Sequence, residues 1–124
     1  MLNNRNFFLV AFSWTVAIII LSLISVHNIN DPIQIPYKDK IVHFIFYYFF
    51  VLFWSFWLTT SRVTKPIWII LVIGIFFGIT IEFFQGYFTT NRSMELLDII
   101  ANSVGAFFGF ITATKCIKKI KSRF

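Results

Sequence analysis

Ionisable and amide side chains interrupt this sequence where it is otherwise most apolar. Glu82 and Gln85 fall near the end of one hydrophobic run, Asp98 and Asn102 near the start of the next, and Arg92 in the short polar loop between them. Asp39, Lys40 and His43 stand at the start of an earlier run. A carboxylate inside a membrane-length apolar segment is costly, so it marks a functional site by default and needs a nearby partner. The residue types suit two kinds of chemistry. Carboxylates beside an imidazole can accept and return protons, and an Arg or Lys beside them can hold an anion.

The elements that carry these residues are membrane spans. The chain has 124 residues, 58% of them hydrophobic and only 13% charged, with a mean hydropathy of +0.80. A soluble domain of this size would lack the polar surface to cover its apolar side chains. Runs of about 20 apolar residues match the thickness of a bilayer. The expected fold is therefore an all-α membrane protein, a four-helix antiparallel transmembrane bundle forming a single domain over 1–124. The spans are expected at about 7–26, 41–61, 67–88 and 96–114. The first run could be read as a secretory signal, but it is longer than a usual signal core and no small-residue cleavage motif follows. Pro66 is well placed to open the third helix. Short loops favour an up-and-down arrangement, and the basic tail after 114 is expected at the lipid surface.

Lys and Arg set the orientation. Eight of them (Arg5, Arg62, Lys65, Lys115, Lys118, Lys119, Lys121 and Arg123) lie on the side of the termini, and three (Lys38, Lys40 and Arg92) lie on the other. The excess places both termini in the cytoplasm. His43, Glu82, Gln85, Asp98 and Asn102 then share one level in the outer leaflet. Gly74, Gly78, Glu82 and Gly86 recur every four residues, and Gly105 and Gly109 flank the Asp98–Asn102 face. Small residues at such spacing allow close helix approach. The expectation is a close contact between spans three and four, with a homo-oligomer through the same stripes as a further option.

Several residues have plainer readings. The net charge of +6 is explained by topology, and nucleic acid is not expected as a partner. One cysteine, Cys116, excludes an internal disulfide. The tryptophans are read as interfacial anchors or lipid-facing bulk, and Asn102 as a structural bond between helices. His43 alone would be an ordinary helix-start residue; beside Asp39, Glu82 and Asp98 it becomes a candidate base or, on weaker grounds, a metal ligand. No close histidine pair is present, so no metal and no cofactor is expected. Ser93 has no base at a fixed spacing, which speaks against a serine nucleophile.

The ordered set Asp39, Lys40, His43, Phe44, Tyr47, Glu82, Gln85, Arg92, Ser93, Asp98, Asn102, Gly105 and Gly109 resembles the VanZ-like family of small bacterial membrane proteins. The likeness runs from about 36 to 110; a proline often seen in the family between the Gln and the Arg is absent here. The family is named for a protein linked to teicoplanin resistance. The resemblance implies a multi-pass protein of the bacterial cytoplasmic membrane with a role at the cell envelope.

Two functions fit these residues. In the first, Asp39, Lys40, His43, Glu82, Gln85, Arg92, Ser93, Asp98 and Asn102 form an outward-facing site for a lipid, such as a lipid-linked envelope or cell-wall precursor. Arg92 and Lys40 would hold its phosphate, and the carboxylates would orient them or bind sugar hydroxyls. In the second, the protein is a membrane enzyme acting on such a lipid, with Glu82, Asp98 or His43 as acid or base. Binding is placed ahead of catalysis. A bundle merely locked by Glu82 and Asp98 pairing with Arg92 or Lys40 is the plain alternative. A channel is disfavoured, because the inner half offers no polar path.

Overall fold

A computed structural model describes residues 3–23, 38–88 and 95–122. Four helices account for nearly all of them: α1 (Asn4–Leu23), α2 (Lys38–Thr60), α3 (Trp68–Phe88) and α4 (Leu96–Ser122). Each is long and apolar enough to cross a membrane, and the described residues contain no strand. The end of the first expected span, after Leu23, lies outside the described residues.

Local chemistry explains the helix ends. The side chain of Asn3 accepts from the Asn6 N–H at 3.0 Å and caps α1. After Thr60 the Ser61 hydroxyl turns back to the Leu58 carbonyl at 2.8 Å. Pro66 leads into α3, and its carbonyl accepts from the Ile69 N–H. The Glu95 carbonyl takes the Asp98 N–H at 3.1 Å and opens α4. That last helix runs on to Ser122, beyond the expected end at 114. At ~1.5 Å per residue it is about 40 Å long, more than the ~30 Å hydrocarbon core. Its basic final turns can therefore leave the apolar layer without breaking the helix.

Hydrogen bonds between helices give the directions. Asn4 at the start of α1 donates to Thr60 at the end of α2 at 3.1 Å, and Gln85 near the end of α3 donates to the Ser22 carbonyl near the end of α1 at 2.7 Å. His43 meets Asn102, and Tyr48 meets Thr112 five residues further along α2 and ten along α4. Helices α1 and α3 thus run one way, α2 and α4 the other. This is the expected up-and-down bundle.

The expected close contact of α3 with α4 is present, at Gly78 against Asn102 and at Glu82 against the Glu95 N–H. The most extensive pair, however, is α2 with α4. The reason is visible at Gly105 and Gly109. A Cβ on either would collide with the carbonyl oxygen of Phe44 or Tyr48, so their bare backbone lets α2 come close. On α3, a Cβ at Gly74 would sit 2.9 Å from a Val51 methyl, and one at Gly78 would sit 3.1 Å from the Asn102 Cβ. These four glycines are therefore used within the chain. Gly86 is exposed. Twelve residues at about 100° each carry it about 120° away from Gly74, whereas Gln85, eleven residues on, returns to within about 20°. Gln85 is accordingly the buried residue.

The tryptophans also do more than anchor. Trp14 Nε1 donates to the Phe46 carbonyl at 2.8 Å, and Trp54 Nε1 donates to the Thr15 hydroxyl at 2.9 Å. Both bonds clamp α1 to α2. Trp68 is exposed, as a lipid-facing residue would be. Around Tyr47, Phe50, Val51, Ile18, Ile70 and Ala106 the four helices close a hydrophobic core.

Candidate functional site

The core ends, toward the last turns of α3 and the first turns of α4, in a polar cluster. Residues 40, 43 and 47 share one face of α2, residues 82 and 85 one face of α3, and residues 98 and 102 one face of α4, as spacings of three, four and seven require. Gly78 leaves the room in which Asn102 sits. Glu82, Gln85, Asp98, Asn102, His43 and Tyr47 are all buried. Among the described residues the opposite end of the bundle buries no ionisable side chain. The one-sidedness expected from the sequence is therefore real for the residues described.

Lys40 occupies the outer part of the cluster. Its ammonium lies 2.6 Å from Asp39 Oδ2, 2.5 Å from Glu95 Oε2 and 2.6 Å from Asp98 Oδ1. Asp39 is largely exposed and Glu95 about half so, while Asp98 is buried. Three carboxylates around one ammonium neutralise it. Lys40 is thus not free to hold a phosphate, as the sequence reading supposed.

The inner part is formed by His43, Asp98, Asn102 and Glu82. His43 Nδ1 lies 2.9 Å from Asn102 Oδ1. An amide oxygen only accepts, so Nδ1 carries a proton. Nε2 faces Asp98 Oδ2 at 3.7 Å. Glu82 is fully buried. Its Oε1 accepts from the Glu95 N–H at 3.0 Å, which draws the end of α3 onto the positive start of α4. Its Oε2 has no hydrogen-bond partner, nor do Tyr47 OH and Asn102 Nδ2. One ligand atom each from His43, Glu82 and Asp98 lie within 4.8 Å of one another.

The structure thus brings together Asp39, Lys40, His43, Glu82, Asp98 and Asn102. Gln85 lies at the same level but reaches away, to α1. Arg92 and Ser93 lie outside the described residues. Glu95 was missed, because it reads from sequence as the last residue of a polar turn. The available signal was an acidic residue three positions before Asp98, at the place where helix starts favour negative charge.

These features define a four-span membrane protein with a buried carboxylate–histidine cluster at one end. The chain belongs to the VanZ/LLP1 family, whose model matches residues 2–118. An uncharacterized protein of the fission yeast Schizosaccharomyces pombe is 37% identical over 90 residues, covering 70% of this chain and 54% of that protein. The chain spans about half the length of that relative. No solved structure matches the chain.

Proposed function

We propose that this protein sits in the bacterial cytoplasmic membrane with the polar cluster at its outer face and binds a lipid with a hydroxyl-rich head, such as a lipid-linked envelope precursor. The observation that carries this reading is an apolar groove of about 400 Å³ between α2 and α4, lined by Phe44, Leu97, Ile100 and Val104, with Lys40 at its polar end. A hydrocarbon tail fits such a groove, and a head at its end would meet the exposed carboxylates of Asp39 and Glu95. Carboxylates accept hydrogen bonds from sugar hydroxyls. Because Lys40 is already neutralised, the reading rests on those hydroxyls rather than on a phosphate held by Lys40.

Ala101 also lines the groove, and Ala101→Phe would fill it without replacing a charged side chain. Native mass spectrometry in mild detergent should find a discrete lipid-linked adduct on the wild type and none on this variant. Equal loads of ordinary phospholipid on both would overturn the reading. An effect on teicoplanin susceptibility would follow from sequestering such a precursor, and a deletion strain measures it.

Catalysis on the same lipid is the second reading, favoured by the unpartnered Glu82 Oε2 beside Asp98 and His43. It requires product formation that Glu82→Gln abolishes while the adduct persists.

A further inference from the structure

We propose that His43, Glu82 and Asp98 form a binding site for a first-row divalent transition metal of the Zn²⁺ or Mn²⁺ type. The inference stands apart from lipid binding and concerns the inner part of the cluster alone. Three observations carry it.

The first is the placement of the His43 ring. With Nδ1 at 2.9 Å from the Asn102 side-chain oxygen, Nε2 is turned toward Asp98 Oδ2 at 3.7 Å, too far for a direct hydrogen bond. Two donors bound to one tetrahedral ion at ~2.1 Å stand about 3.4 Å apart, close to the spacing found. A histidine that ligates through one nitrogen commonly donates from the other to a carbonyl or carboxylate, and Asn102 supplies that partner.

The second is Glu82. It is fully buried, one oxygen is held by the Glu95 N–H, and the other has no partner. A buried carboxylate oxygen left without a hydrogen bond is costly. A cation bound in common with His43 and Asp98, whose ligand atoms lie within 4.8 Å, would satisfy it.

The third is charge. Among the described residues, this end of the bundle holds four carboxylates, of which Asp39, Glu95 and Asp98 surround the Lys40 ammonium while Glu82 sits with His43 and Asp98. Lys40 already fills the outer group of Asp39, Glu95 and Asp98, which leaves only the inner trio to take an ion. One imidazole nitrogen with two carboxylates suits Zn²⁺ or Mn²⁺ better than Mg²⁺ or Ca²⁺, which prefer oxygen alone.

The test uses the full chain in detergent, stripped with chelator, desalted and supplied with Zn²⁺ or Mn²⁺ and no added lipid. Metal analysis should find one ion per chain on the wild type and on Asp39→Asn, and none on Glu82→Gln or His43→Ala. Asn102→Ala should weaken binding about 10–100-fold. Mn²⁺ on the wild type should show magnetic coupling to one histidine nitrogen, a readout that requires no variant to fold. A wild type that takes up no ion, Mn²⁺ bound without nitrogen coupling, or binding that Glu82→Gln and His43→Ala leave unchanged would each overturn the site. Loss on Asp39→Asn with retention on Glu82→Gln would move the ion to the outer cluster and overturn it equally.

Discussion

The Lys40 ammonium stands 2.6 Å from Asp98 Oδ1 and ties the first turn of α2 to the first turn of α4. Asp98 is buried and Lys40 nearly so, so neither is well solvated without the other. Asp39 and Glu95, from the exposed side, complete the shell around the same ammonium.

This pairing makes single and double substitutions behave differently. Lys40→Met alone leaves the Asp98 carboxylate buried and should destabilise the protein by about 3 kcal/mol. Asp98→Leu alone should cost less, since Lys40 keeps Asp39 and Glu95. The double variant should lose clearly less than the sum of the two. Denaturant titration in detergent micelles measures all three. Additive losses would mean that the pair is not coupled.

The glycines separate by position rather than by type. Gly105→Ala puts a Cβ against the Phe44 carbonyl and should destabilise by about 1–3 kcal/mol, the usual cost of overpacking. Gly86 is exposed, and Gly86→Ala should stay within about 0.5 kcal/mol of the wild type. Melting curves of the two variants side by side decide the matter. An equal loss at both positions would point to a second copy of the chain packed on Gly86.

Cys116 provides a natural probe of the orientation read from Lys and Arg. It is the single cysteine, partly exposed, in the basic last turns of α4. With the termini in the cytoplasm, a membrane-permeant maleimide should label it in intact cells and an impermeant one should not. Labelling by both would invert the topology and move the polar cluster to the inner face.

Much of the architecture was legible in the chain because membrane insertion depends on local sums. Twenty apolar residues in a row make a span whatever surrounds them, so α1 to α4 appear close to where the runs fall. The level of the polar residues follows from the same count, which is why His43, Glu82, Asp98 and Asn102 could be placed together from the sequence.

Which helix meets which, and which atom meets which, depends on rotation about each helix axis, and no local sum fixes that. Gly105 and Gly109 read equally well as a contact with α3 or with another copy; only the close approach of the Phe44 and Tyr48 carbonyls assigns them to α2. Gly86 extends a four-residue pattern on paper but leaves the buried face, because 3.6 residues per turn do not divide into fours. Lys40 looked like an anion holder until three carboxylates from two helix starts closed around it. The sequence by itself determined four spans and a polar end. Tertiary structure alone decided that this end consists of a neutralised lysine above a buried His43–Glu82–Asp98 trio, because side-chain chemistry there is set by neighbours far apart in the chain.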